Sequence, residues 1–68
     1  MAGTRLVWKW EYGSEGSDEP PAGPAWIDTL DDEGKRTSTD KVAGGEWITR
    51  DEAIRLAREN GHDLVLDE

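Results

Sequence analysis

The sequence predicts a small α+β domain in which one helix packs on a face of a mixed or antiparallel sheet. Three observations predict this class. Apolar residues alternate along residues 5–12, a capped amphipathic segment covers residues 49–60, and an apolar run follows it at residues 64–66. Alternation with a period of two is typical of a strand, and apolar residues three and four positions apart are typical of a helix. A helix that crosses one face of a sheet buries the apolar surface of both.

Residues 5–12 form the first predicted strand. Leu6, Trp8, Trp10 and Tyr12 fall on one face, and the other face is mostly polar. Because each large aromatic side chain can bury about 150–250 Å², most of the four tryptophans are expected to fill the core of this 68-residue chain. A tryptophan left at the surface is expected to contact a protein partner. Trp8 and Trp10 are the candidates if this strand lies at a sheet edge.

Residues 13–24 separate the first strand from the second. They hold all three prolines and three of the eight glycines, and they show no apolar periodicity. Such a segment is expected to bury nothing and its acids repel one another, so we expect a mobile acidic loop within a single domain of residues 1–68. Glu15, Asp18 and Glu19 in this loop form one candidate patch for a basic partner.

The next two strands are predicted to form a hairpin over residues 25–39. Its first strand is followed by an acidic turn that ends in glycine and by a polar edge strand. A second candidate patch for partner binding lies at this turn and consists of Asp28, Asp31, Asp32 and Glu33. A calcium loop needs oxygen ligands that alternate about a glycine and end in a glutamate. These acids do not have that spacing, so no metal site is predicted.

The helix carries signals at both of its ends. Thr49 is placed to cap the first turn, and Glu52 follows three positions later, as in a capping box. Asn60 and Gly61 end the helix with a residue suited to the left-handed conformation. The sequence therefore predicts a helix over residues 49–60.

The segments on either side of the helix are short. Residues 42–45 are predicted to be a loop, and residues 46–48 form an extended entry into the helix. Residues 63–67 form a final strand with three successive apolar residues. Such a run predicts burial on both faces, as in a central strand.

The charge balance excludes some classes of partner. The chain has 16 acidic and 8 basic residues, for a net charge of −8. Nonspecific nucleic-acid binding and docking on an anionic membrane both need a basic surface, so neither is expected. An acidic chain favours a partner with a basic surface. The absence of cysteine excludes disulfides and thiolate metal sites, and with no apolar run long enough to span a membrane it favours the cytoplasm.

No group of residues in the sequence predicts catalysis. His62 is the single histidine, and no cysteine is present to act as a nucleophile. The three serines, Ser14, Ser17 and Ser38, lie outside any nucleophile-elbow sequence. The glycine pair at residues 44–45 is not followed by the lysine of a phosphate-binding loop. We therefore expect neither an enzyme nor a cofactor.

The helix and the strand after it carry a resemblance to a known family. Ala53 and Ile54 are followed by Ala57 and then by a Gly-His-Asp-Leu-Val run at residues 61–65. This helix-turn-strand, at residues 48–65, resembles one in the N-terminal domain of bacterial translation initiation factor three, and the acidic turn at residues 31–34 resembles the turn of that family. The fold of the family is similar to a β-grasp. The resemblance implies that fold here and a translation-associated module that binds the ribosome or its RNA.

The residues themselves lead to a different functional hypothesis. They predict a small acidic, non-enzymatic module that binds a basic surface of a protein partner and acts as a regulator or inhibitor. The two acidic patches are expected to attract the partner, and Trp8 or Trp10 to contact it. The translation-associated module is the alternative. Acids that only keep the chain soluble remain a further possibility, and the oligomeric state stays open.

Overall fold

The computed structural model describes residues 3–14 and 16–67, so Glu15 of the first acidic patch lies outside the described residues. The elements in chain order are β1 (Gly3–Lys9), β2 (Ala22–Gly23), β3 (Ala25–Leu30), β4 (Arg36–Lys41), β5 (Ile48–Thr49), α1 (Arg50–Asn60) and β6 (Asp63–Asp67). A short 3₁₀ turn at Val42–Gly45 joins β4 to β5.

Two sheets organise these elements. The four-stranded sheet has the order β4-β3-β1-β6, and β2 pairs with β5 in a second sheet. β6 runs parallel to β1, whereas β3 is antiparallel to both of its neighbours. α1 packs against β1, β5 and β6. The predicted α+β class, with one helix on a mixed sheet, is confirmed.

The core lies between α1 and one face of the four-stranded sheet. Its buried apolar residues are Leu6, Trp8, Ala25, Val42, Ile48, Ala53 and Ala57. Trp8 is wholly buried, and its indole N–H donates to the carbonyl oxygen of Ile48 at 3.0 Å. The two core positions of α1 are alanines, which lets the helix lie close to the sheet. The bulk of the core therefore comes from β1.

The strand order corrects two expectations. β1 lies between β3 and β6 and is not an edge strand, so the condition that would expose Trp8 is not met. β6, predicted to be central, lies at the edge. Leu64 and Leu66 pack against the core, but Val65 faces the opposite side and is 40% exposed. Successive residues of a strand point to opposite faces, so three apolar residues in a row left one of them at the surface.

The acidic segment at residues 13–24 is partly built into the fold. Ala22–Gly23 forms β2, Pro21 is buried, and the carbonyl oxygen of Pro21 accepts a hydrogen bond from the Arg50 N–H. The expectation that this segment buries nothing is therefore wrong for residues 21–23, because the pairing of β2 with β5 covers them. Mobility stays a prediction for residues 16–20, which are exposed.

The ends of α1 form as predicted. The Glu52 N–H donates to the Thr49 hydroxyl oxygen at 3.2 Å, and Gly61 adopts the left-handed conformation with φ of 70°. The N–H groups of Gly61 and His62 return to the carbonyl oxygens of Arg58 and Ala57, which is the Schellman pattern of helix termination. Thr49 is thus the N-cap, as predicted, and α1 runs from Arg50 to Asn60.

Removal of the Thr49 cap is expected to destabilise the domain. Thr49→Ala leaves the Glu52 N–H without its acceptor, at a cost of about 0.5–2 kcal/mol. Urea unfolding followed by circular dichroism measures the loss, and Thr49→Ser, which keeps the hydroxyl, should recover most of it. Equal stability of the alanine variant and the wild type would show that the cap contributes nothing.

Candidate protein-binding site

The hairpin turn uses one of its acids to hold its own shape. The Asp31 carboxylate accepts hydrogen bonds from the N–H groups of Glu33 and Lys35, each at 2.9 Å. Asp32 and Glu33 are exposed, and the Glu33 carboxylate lies 3.8 Å from the Lys35 ammonium. The predicted acidic turn is present, but Asp31 is a structural residue of that turn.

Asp28 does not belong to the exposed patch at the turn. It is 5% exposed, and its carboxylate accepts a hydrogen bond from the Thr39 hydroxyl at 2.6 Å. Its other carboxylate oxygen lies 3.2 Å from a guanidinium nitrogen of Arg5. The Asp28 carboxylate is used within the sheet to connect β1, β3 and β4, so Asp28 is not an exposed member of the predicted patch. The hydroxyl of Thr39 and then Arg5 hold the pKa of Asp28 below its ordinary value, against the opposing effect of burial.

The lowered pKa of Asp28 predicts a pH-dependent contribution to stability. A carboxyl whose pKa is depressed by folding stabilises the fold above its unfolded pKa, and this contribution is lost as the pH falls through the folded pKa. Asp28→Asn is therefore expected to cost about 1.5–3 kcal/mol at neutral pH, the range for hydrogen bonds to charged groups. Urea unfolding at several pH values should show that the difference in free energy of unfolding between variant and wild type becomes smaller in acid. A difference in free energy of unfolding that is the same at all pH values would contradict a stabilising role for the ionised Asp28 carboxylate.

The tryptophans that the structure places at the surface differ from the two, Trp8 and Trp10, that were predicted to contact a partner. Trp8 is 0% exposed and cannot contact a partner in this structure. Trp10 is half-buried, and its indole N–H donates to the Gly13 carbonyl oxygen at 2.9 Å. Trp47 is 54% exposed. From the sequence, Trp47 is predicted only to lie in the extended entry into the helix, and it is not among the tryptophans proposed for binding.

Trp47 forms an exposed aromatic pair with Tyr12. The ring centroids lie 6.3 Å apart with an interplanar angle of 35°, and Tyr12 is 51% exposed. Both residues are positioned by β2. The backbone of Tyr12 exchanges hydrogen bonds with Ala22, and Ile48, the neighbour of Trp47, is paired with Gly23. The two rings are thus held together by a backbone ladder.

A carboxylate completes this aromatic site. The Glu19 carboxylate lies beside the Tyr12 hydroxyl and is the main cause that raises the pKa of Tyr12, with burial adding to it. Glu19 comes from the predicted acidic patch in the loop, so the structure brings one member of that patch to the rings. We call Tyr12, Glu19 and Trp47 the aromatic–acid site.

The sequence held a signal for the exposure of Trp47. Ile48 immediately before the helix cap is buried, and its neighbour in an extended segment must point the other way. Tyr12 was expected on the buried face of the first strand. β1 ends at Lys9, however, and the chain beyond it pairs with β2, so the alternation of β1 does not extend to Tyr12.

A separate concave feature lies on the face of the sheet that α1 leaves uncovered. It is a groove of about 300 Å³ lined by Val7, Trp26, Asp28, Arg36 and Thr39. The carboxylate in this groove belongs to Asp28, which is already paired with Arg5 within the sheet. His62 is the single histidine and follows the end of α1. It hydrogen-bonds to the Thr4 side chain near the start of β1, so it connects the end of α1 to the four-stranded sheet.

Comparisons with family models, curated proteins and solved structures found no match for this chain. Over residues 3–14 and 16–67, no three His, Cys, Asp or Glu side chains are grouped to hold a metal ion. In the same residues, no helix has both the length and the apolar character needed to cross a bilayer.

Proposed function

We propose that the chain is a small acidic, non-enzymatic module that binds a basic surface of a protein partner through the aromatic–acid site. The observation that carries this proposal is the exposed pair of Tyr12 and Trp47 beside the Glu19 carboxylate. A regulator or inhibitor that occupies such a surface needs no catalytic group. The proposed compartment is the cytoplasm, since small secreted domains usually carry disulfides and this chain has no cysteine.

The chemistry of the site suits a lysine or arginine side chain. A cation above an exposed aromatic ring gains about 0.5–1 kcal/mol, and about 2 kcal/mol when water is excluded. Glu19 supplies a carboxylate next to the rings, so one cation can meet both a π face and a negative charge. Tryptophan and tyrosine are also enriched among the residues that dominate binding energy at protein interfaces.

The remaining acids have a separate role in this proposal. The net charge of −8 attracts a basic partner over distance and raises the association rate. Asp32 and Glu33 at the hairpin turn contribute to that field from an exposed position. Asp28 and Asp31 are engaged within the fold, so they are not contact residues. Trp10 stays a candidate contact, because part of its side chain is exposed.

Capture of a partner from a cell extract tests the proposed function. The immobilised wild-type chain should retain a basic protein at low ionic strength and release it at high ionic strength. Trp47→Ala should lower the affinity for that protein about tenfold. Glu19→Gln and Glu59→Gln each remove one exposed acid, but only Glu19 lies at the aromatic–acid site, so only its replacement should have a marked effect.

Two outcomes of this experiment would count against the proposal. Retention that depends on neither salt nor Trp47 would exclude the aromatic–acid site as the contact. Retention of ribosomal particles would instead support the translation-associated alternative that the resemblance implies.

A further inference from the structure

The outer edge of β6 offers backbone groups for a further strand. β6 has β1 on one side, and within the described residues no strand lies on the other. The Asp67 carbonyl oxygen accepts the Trp10 N–H at 3.0 Å, so it points toward β1. The backbone groups of alternate residues in a strand point to opposite edges. The N–H and C=O groups of Leu64 and Leu66 therefore point outward, and an edge of this kind is a template for pairing.

The exposed side-chain row of β6 has a defined chemical pattern. Asp63, Val65 and Asp67 are exposed and share the face of the sheet that α1 does not cover. Leu64 and Leu66 face the core. An added strand would thus meet a carboxylate, an apolar side chain and a second carboxylate in turn.

β1, which already pairs with β6, carries side chains that are complementary to this pattern. On the inner side of β6, Asp63 lies opposite Arg5, Val65 opposite Val7, and Asp67 opposite Lys9. Each acid has a basic cross-strand neighbour and the valine has a valine. Opposite charges and apolar pairs across neighbouring strands each stabilise a sheet. β1 therefore shows which sequence suits the side chains of β6.

We propose that the outer edge of β6 binds an extended segment of a protein partner as an added strand. The segment carries a basic residue, an apolar residue and a second basic residue at alternate positions, the same pattern as Arg5, Val7 and Lys9. This inference rests on the proposed function and names a binding mode for the basic partner. The pattern reads the same in both directions, so it suits a parallel or an antiparallel strand.

Charge argues against a second copy of the chain as the occupant. If two β6 strands paired antiparallel about Val65, Asp63 of each copy would lie opposite Asp67 of the other. Like charges directly across a sheet destabilise the pair. A strand with basic residues at those two positions removes this repulsion.

A pair of short peptides tests the inference on the whole chain. The first reads Ser-Arg-Thr-Val-Thr-Lys-Ser and the control reads Ser-Thr-Arg-Val-Lys-Thr-Ser, both with blocked ends. They have the same composition and charge, but the control places its basic side chains on the face opposite to its valine. Only the first peptide should shift the amide proton resonances of Leu64 and Leu66 downfield. The backbone N–H of Val65 points toward β1, so its resonance should not move.

Charge variants separate local contact from the overall field. Asp63→Asn with Asp67→Asn should weaken binding of the first peptide about fivefold. Asp32→Asn with Glu33→Gln removes the same charge at the hairpin turn, away from β6, and should change the affinity little. The amide resonances of Leu64 and Leu66 and the indole N–H resonance of Trp47 are followed separately in the same titration, so a failure here and a failure of the aromatic–acid site are distinguishable.

Three results would overturn the inference. Equal binding of the two peptides would show that charge alone is recognised. Binding without a shift at Leu64 and Leu66 would place the peptide elsewhere. Shifts of these two amides that grow with protein concentration in the absence of peptide would make a second copy the occupant of the edge.

Discussion

Trp8→Ala is expected to remove a large part of the stability of the domain. Truncation of a buried tryptophan costs about 3–5 kcal/mol, and a domain of this size has a total stability of about 3–10 kcal/mol. Trp8 is wholly buried, and the two buried residues of α1, Ala53 and Ala57, are too small to fill the space that its removal leaves. The variant also leaves the Ile48 carbonyl oxygen without the indole N–H.

Circular dichroism and urea unfolding measure the effect of Trp8→Ala. Trp8→Phe is the matched control, because it keeps an aromatic ring and loses the hydrogen bond to Ile48. It should remain folded, with a smaller loss of stability. A Trp8→Ala variant that unfolds at the same urea concentration as the wild type would show that this side chain does not organise the core.

Gly23→Ala is expected to cost about 3 kcal/mol or more. A Cβ on Gly23 would overlap the Lys9 carbonyl oxygen and lie 3.0 Å from the Glu11 backbone nitrogen. Both of these are backbone atoms, so β2 itself would have to move away from the end of β1 to make room for the Cβ. Inserting one methyl group into a packed site typically costs about 1–3 kcal/mol, and here hydrogen bonds between the two segments are strained as well.

The consequence of Gly23→Ala should extend to the aromatic–acid site. β2 positions both Tyr12 and Trp47, so its displacement should separate the two rings. Gly3→Ala is the matched control, because nothing lies within 4 Å of the added Cβ and the change should be neutral. Unfolding curves together with the ring resonances of Tyr12 provide the measurement. Identical stability of the two alanine variants would mean that β2 does not lie close to β1.

Local signals sufficed to predict the helix and the strands β1, β3, β4 and β6, although β1 ends at Lys9 and not at Tyr12. The Thr49 cap, the glycine at the end of α1 and the alternation around Trp8 each depend on neighbouring residues in the chain. The order of the strands depends on long-range pairing, which composition does not encode. An apolar run therefore predicted a central β6, whereas the structure pairs it on one side and leaves Val65 at the surface.

The candidate site was harder to predict because its parts are distant in the sequence. Tyr12, Glu19 and Trp47 come together through pairing of β2 with the end of β1 and with β5. β2 has only two residues in a segment rich in proline and glycine, so its sequence gives no strand pattern. The burial of Asp28 was not predicted for a related reason, since the Arg5 and Thr39 groups that engage it lie on other strands.

Titration with a short arginine peptide tests the central functional proposal most directly. The probe is a blocked Gly-Arg-Gly-Arg-Gly peptide, and its control replaces each arginine by citrulline, which has nearly the same shape and no charge. At low ionic strength the arginine peptide should shift the indole N–H resonance of Trp47 and the ring resonances of Tyr12. The indole resonance of the buried Trp8 should not move. An unmoved Trp47 resonance, or equal shifts with the citrulline peptide, would contradict the proposal that this chain binds a basic partner through its aromatic–acid site.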